Sequence, residues 1–175
     1  WPIRVLVRSE GVPFVSCRRL EVRVGDLLRP DDVSPVVNGC DVVCCLFGPR
    51  PAAADVFCAE ATRNVVAAMK EQGVRRLICV TGAMIGDYPR NRTATFRWAT
   101  GAFARRFPTV AADRAEQERV VRESGLEWTL VKPPRLTDGP RTGAVRGSPR
   151  QKVGLLSKIS RKDVAEFILD EIGRP

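Results

Sequence analysis

Two short apolar runs separated by one amphipathic stretch constrain this chain more than anything else in it. Val42-Val43-Cys44-Cys45-Leu46-Phe47 is continuously apolar and stops at Gly48-Pro49, which reads as a strand buried on both faces, as in a parallel sheet. Phe57, Ala61, Val65 and Met69 then recur at helical spacing, with Glu60, Arg63, Asn64 and Lys70 on other faces and Gly73 as the stop. Leu77-Ile78-Cys79-Val80 follows as another buried strand and ends at Thr81-Gly82-Ala83. Strand, helix, strand in this rhythm makes a βαβ unit, whose loops gather at the carboxyl edge of the sheet. Open α/β sheets bind their ligands at that edge.

The pattern extends in both directions. Ile3-Arg4-Val5-Leu6-Val7-Arg8 predicts a strand ending on arginine, and Leu20-Glu21-Val22-Arg23-Val24 a second, closed by Gly25-Asp26. Asp31-Asp32 opens a short helix, Val33 to Val37, stopped by Asn38-Gly39. After a turn at Gly86-Asp87-Tyr88-Pro89, the stretch Thr93 to Phe107 carries Phe96, Trp98, Phe103 and Phe107 among Arg92, Arg97, Arg105 and Arg106. That aromatic stripe is expected to pack on the sheet, the alternative being a lid or partner-facing helix over a pocket. Asp113-x-x-Glu116 resembles a capping pattern that opens a helix running to Arg122 or Glu123, ahead of Gly125. Trp128-Thr129-Leu130-Val131 predicts a strand cut off by Lys132-Pro133-Pro134-Arg135, because proline cannot donate to a ladder. Leu136 to Arg150 reads as a long functional or mobile loop. Ser160-x-x-Asp163 then opens a final helix with Val164, Ile168 and Ile172 facing inward and Phe167 beside them.

A length of 175 residues suits one domain with a real core, so residues 1–175 are read as a single domain. The 29 basic residues outnumber the 20 acidic ones, and the net charge of +9 favours phosphates, nucleic acid or an anionic surface. The basic residues are scattered, however, and not interleaved with aromatics, so they read as a generally basic solvated surface and argue against a nucleic-acid platform. Cys17, Cys40, Cys44, Cys45, Cys58 and Cys79 show no C-x-x-C spacing and the chain has no histidine, so no metal site is signalled. The cysteines read as reduced buried thiols, which favours a cytoplasmic compartment, and no membrane-spanning or signal segment is expected. A small molecule is the expected partner.

The lack of histidine removes serine-histidine-aspartate chemistry and histidine general bases. Tyr88 is the only tyrosine and the residue four beyond it is Arg92, so the Tyr-x-x-x-Lys pair of ordinary short-chain dehydrogenases is missing. No catalytic side chain is assigned, and any reaction must use a cofactor's own chemistry. Val24-Gly25-Asp26-Leu27, Arg63 to Lys70, Gly73 to Leu77, Glu123 to Pro134, Arg135 to Gly143 and Ile159 to Val164 resemble, in that order, the NAD(P)H-binding atypical short-chain dehydrogenases/reductases. This NmrA-like group includes the biliverdin-IXβ reductase (flavin reductase) branch, which the chain most resembles.

The resemblance implies an α/β fold, a Rossmann-type parallel sheet with flanking helices, and NADPH bound across its carboxyl edge. Arg8, with Ser9 beside it, would grip a 2′-phosphate and favour NADP over NAD. Asp26 and Leu27 would lie by the adenine, while Phe47, Gly48 and Arg50 would line the cofactor after the next strand. Thr81 and Gly82 would stand near the nicotinamide, and Lys132, Pro133, Pro134 and Arg135 would cover it and part of the phosphates. Gly82 stands where relatives carry serine, and the family's substrate-side histidine falls near Glu118, so the substrate is not carried over. The first strand, glycine-rich turn and first helix that the family places before Ile3 are lacking, and no G-x-G-x-x-G occurs. The expectation is a fragment of a longer protein, or else two half-sheets closed on each other, and poor dinucleotide binding by the chain as it stands. The implied activity is NADPH-dependent reduction of a flavin-like or other small conjugated substrate, with the proton taken from solvent. A non-catalytic NAD(P)-sensing or partner-binding role is the alternative, and a basic nucleic-acid-binding domain a third.

Overall fold

The computed structural model describes residues 2–10, 18–49, 56–86, 88–145 and 147–173. Cys17 and Arg50 lie outside these residues. The chain runs β1 (Ile3–Val7), β2 (Leu20–Val24), α1 (Pro30–Val37), β3 (Val42–Cys45), α2 (Cys58–Glu71), β4 (Arg76–Val80), α3 (Ala94–Arg106), α4 (Pro108–Arg122), β5 (Glu127–Val131), β6 (Arg135–Thr137), β7 (Lys158–Ser160) and α5 (Arg161–Ile172). β1 pairs in parallel with β2, and β3, β4 and β5 form a parallel sheet in that order. The architecture is mixed α/β with parallel strands, as the strand-helix-strand rhythm requires.

Alternation along the β3–β5 strands sorts their side chains onto two apolar faces. Cys45, Leu77 and Cys79 meet Val33 and Val37 of α1, Val65 and Met69 of α2, and Val121 of α4. Ile78 and Val131 face the other way and meet Val164 and Ile168 of α5. Helices therefore cover both sides of this sheet. Leu6 of β1 and Leu27 pack against the first of these clusters, which joins the β1–β2 pair to the same core. Arg4 fastens the joint: Nη1 donates to the carbonyls of Pro35, Val36 and Asn38 at the carboxyl end of α1, and Nε meets Glu21 at 2.9 Å.

Several sequence expectations are corrected. β1 ends at Val7, leaving Arg8 just beyond it, and β3 ends at Cys45, with Leu46 62% exposed instead of buried on both faces. α1 begins at Pro30, whose fixed φ suits the first helical turn, ahead of the Asp31-Asp32 start. The aromatic stripe does not lie on the sheet: α3 packs on α4, Phe96 is buried, and Trp98 is 71% exposed. Asp113 does not open a helix, because Pro108 starts α4 one and a half turns earlier. The predicted loop from Leu136 begins inside β6, which pairs in parallel with β7. β1 and β3 do not pair, so the half-sheets do not close on each other through backbone hydrogen bonds. Ser160 caps α5 as expected, its hydroxyl accepting from the Asp163 N–H at 3.0 Å.

Candidate functional site

Parallel pairing sends the carboxyl ends of β3, β4 and β5 to one edge, and those of β1 and β2 likewise to one edge. Arg8 and Ser9 are exposed immediately after β1. Asp26 and Leu27 occupy the turn after β2, where Asp26 Oδ1 accepts from the Leu28 N–H at 3.0 Å and the Leu27 carbonyl accepts from Asn64 at 2.9 Å. Phe47 and Gly48 follow β3. Thr81 and Gly82 follow β4, and Lys132 to Pro134 follow β5, joined to β4's end by the Thr81 N–H donating to the Val131 carbonyl and the Ala83 N–H to that of Pro133. Arg135 is the first residue of β6 and is exposed. Each predicted residue that the structure describes thus lies at or just beyond a strand's carboxyl end, except Arg135, which opens the next strand.

Gly82 has φ +130, a conformation that L side chains rarely adopt, and a Cβ there would meet no heavy atom within 4 Å. Serine, which the resemblance led one to expect here, would be strained at this backbone conformation. At Gly48 the nearest atom to a Cβ would be Arg114 Nη1 at 3.8 Å, so the backbone at both strand ends is open to close approach.

Beneath that edge lies a polar face of α4. Asp113, Arg114, Gln117 and Glu118 are all buried, on the same side of the helix as Val121. Asp113 accepts from the backbone N–H groups of Cys58 (2.9 Å) and Ala59 (3.0 Å), so its carboxylate caps α2 rather than its own helix. Arg114 donates to the carbonyls of Phe47 (3.4 Å), Val80 (3.3 Å) and Thr81 and to Gln117 Oε1 (2.6 Å), tying the ends of β3 and β4 together. Gln117 in turn donates to Thr62 at 3.0 Å.

Glu118 is the centre of the arrangement and is 1% exposed. Its Oε1 accepts from the Thr81 hydroxyl at 2.7 Å and from the Lys132 ammonium, and its Oε2 accepts from the Tyr88 hydroxyl at 3.1 Å and from Arg122 at 3.3 Å. Lys132 Nζ stands 4.3 Å from the centre of the Tyr88 ring, and the Arg122 guanidinium 5.1 Å from it. Burial pushes the Lys132 ammonium down to about 8, against the opposing pull of Glu118. A lysine titrating there exchanges a proton near neutral pH.

A cavity of about 360 Å³ adjoins this cluster between α3 and α4, lined among others by Met84, Ile85, Phe103, Ala111 and Arg92. Gly86 forms part of its wall and separates it from the charges: a Cβ on Gly86 would lie 2.5 Å from Glu118 Oε2 and 2.7 Å from the Tyr88 ring. Arg92 donates to the carbonyls of Ala83 and Ile85, fixing the loop that carries this wall. Among the described residues no cluster of histidine, cysteine or acidic side chains could hold a metal ion, and no helix is long and apolar enough to cross a membrane.

Sequence reasoning placed Thr81 and Lys132 at this edge but missed Tyr88, Arg114 and the central role of Glu118. Tyr88 and Lys132 come together from distant segments, so no local spacing could pair them. The available signal was the recurrence of polar residues at 113, 114, 117 and 118 on a single helical face.

Strand ends gathered around glycine backbone, with helices on both faces, define a nucleotide-binding fold of the Rossmann type. Residues 2–175 match the family model described as NAD(P)H-binding, and the chain belongs to that family. An uncharacterized chloroplastic protein of Arabidopsis thaliana is 26% identical over 166 residues, covering 91% of this chain; the chain spans 56% of that relative's length. Among solved structures, the anaerobilin reductase ChuY of Escherichia coli O157:H7 superposes with a TM-score of 0.69 at 20% identity, over 89% of this chain and 70% of its own. A short-chain dehydrogenase/reductase of Veillonella parvula in complex with NADP gives 0.71 at 20% identity, over 90% and 66%. At this identity the two structures share the fold.

Proposed function

We propose that this chain belongs to an NADPH-dependent reductase acting on a small conjugated substrate. The observation that carries the reading is the meeting of Thr81, Lys132 and Glu118 at the ends of β4 and β5, beside an apolar cavity large enough for a small ring system. Arg8 and Ser9 would hold the adenosine ribose and its 2′-phosphate, Asp26 and Leu27 the adenine, and Phe47, Gly48 and Arg50 the middle of the cofactor. Thr81, Gly82 and Lys132 to Arg135 would face the nicotinamide, where bound NADPH supplies a hydride. The acceptor would lie over the nicotinamide at the ends of β4 and β5, where Lys132 stands, and extend toward the cavity behind Gly86, whose only charged lining residue among the described residues is Arg92.

Kinship with a family described as NAD(P)H-binding and the fold shared with an NADP-bound relative support the cofactor, and the fold shared with a reductase supports the reaction class. The test is binding of NADPH and NADH, followed by nicotinamide fluorescence, and NADPH oxidation with flavin or quinone acceptors. NADPH is expected to bind more tightly than NADH, and Arg8→Glu to abolish that preference. Unchanged preference in the variant would remove Arg8 from the site. Tight binding without turnover of any acceptor would assign a nucleotide sensor instead.

A further inference from the structure

We propose that Lys132 is the proton donor of this site, its ammonium held by Glu118 and Thr81 and covered by the ring of Tyr88. The inference rests on the reductase reading above and replaces solvent as the immediate source of the proton.

The geometry supplies each requirement of a general acid. Lys132 emerges from β5 directly before Pro133 and Pro134, so its backbone position is set by the proline restraint and by the strand pairing of Val131 with Val80. Two of its three N–H directions are taken, by Glu118 Oε1 and by Thr81 Oγ1 at 3.4 Å. Thr81 spends its own hydrogen on Glu118 at 2.7 Å, so toward lysine it can only accept. The side chain retains 18% exposure.

The surrounding charges hold the ammonium near its titration point. Glu118 favours the protonated form, while burial and the guanidinium groups of Arg92 and Arg122 disfavour it. Tyr88 is not placed to donate in its stead. Its hydroxyl already donates to Glu118 Oε2 at 3.1 Å, and Lys132 lies over its ring and not beside its oxygen.

The step balances simply. Bound NADPH would supply a hydride to one atom of the conjugated acceptor, leaving electron density at the far end of the conjugated bond. A new bond to hydrogen forms there as an N–H bond of Lys132 breaks, leaving a neutral amine hydrogen-bonded to Glu118. Water then reprotonates the amine. The sum consumes one NADPH and one proton per acceptor reduced.

The test compares the full chain with Lys132→Arg, Lys132→Ala and Glu118→Gln. Arginine keeps the ion pair with Glu118 but does not release its proton, so Lys132→Arg should bind NADPH normally by nicotinamide fluorescence and lose about 100-fold or more in acceptor reduction. In the parent, kcat/KM should fall as pH rises through about 8. Glu118→Gln should move that limb to lower pH, and small alkylammonium ions should partly restore Lys132→Ala. The lysine itself is read without turnover by pH-dependent labelling with an amine-reactive reagent and mass spectrometry, where Lys132 should become reactive as pH rises through about 8. Turnover that keeps its rate and its alkaline limb in Lys132→Arg overturns this proposal and leaves the reductase standing. Failure of the parent to bind or oxidise NADPH overturns both.

Discussion

At the scale of single residues, a few buried polar groups hold the edge at the ends of β3, β4 and β5, and their removal should be measurable. Asp113 satisfies two N–H groups at the start of α2 across the interface between α2 and α4. Asp113→Ala leaves both donors buried and unpaired and should cost about 1–3 kcal/mol in urea unfolding, whereas Asp113→Asn, which keeps an acceptor, should cost less. Gly86 combines φ +71 with contact on Glu118 and Tyr88. Gly86→Ala introduces both backbone strain and a collision, so it should lower stability by about 1 kcal/mol or more and displace Tyr88 from Glu118. The displacement would show as a changed ultraviolet titration of the lone tyrosine. An unshifted titration with full stability would mean that the wall yields without disturbing the cluster.

Elements differ sharply in how well the sequence announces them. β3, α2 and β4 are visible because apolar residues repeat with the period of each element and glycine ends them; the boundaries found are Val42–Cys45, Cys58–Glu71 and Arg76–Val80. α4 is the opposite case. Its inward face is mostly polar, so the hydrophobic period that reveals a helix is weak, and the Asp113-x-x-Glu116 spacing suggested a start where the structure has a continuous turn. The acid was correctly read as a capping residue, but for a different helix. Long-range pairing of this kind is invisible to a reading that moves along the chain. β6 was missed because three residues between Pro134 and Asp138 carry too little pattern to register. α5 was legible through Ser160 and Asp163, and its attachment makes a pH prediction. Asp163 accepts from the Ser160 hydroxyl (2.8 Å), from the Thr142 N–H (2.8 Å) and hydroxyl (3.0 Å), and from the Gly143 N–H (3.2 Å). These hydrogen bonds, that of Ser160 foremost, hold its carboxyl down to about 2. A carboxylate depressed on folding stabilises above its ordinary range near 3.8 and loses that contribution as pH falls toward 2. Hydrogen exchange in α5 should therefore accelerate over that interval, and Asp163→Asn should flatten the acid limb of unfolding.

For the molecule as a whole, the division between the β1–β2 and β3–β5 sheets matters less than the core they share. Val33 and Val37 of α1 are 2% and 3% exposed and pack in the cluster that holds Leu77 and Val65, with Leu6 of β1 against it. Val37→Ala should lower stability by about 1–2 kcal/mol. Far-UV circular dichroism and tryptophan fluorescence should then report a single shared transition, as a common core requires. Separate transitions would show that the β1–β2 pair unfolds on its own. The candidate site was legible in outline, since residues after successive parallel strands must share an edge. Its chemistry was not, because Glu118, Tyr88 and Lys132 are joined only by the packing of α4 beneath β4 and β5. Arg114 adds a last property to that edge. Its guanidinium faces the carbonyls of Phe47, Val80 and Thr81 and the amide oxygen of Gln117. The strand ends therefore carry the Arg114 charge as well as the Lys132 ammonium. Attraction for an anionic nucleotide should persist through the alkaline range in which Lys132 turns neutral, so that binding and turnover part company as the solution is made basic.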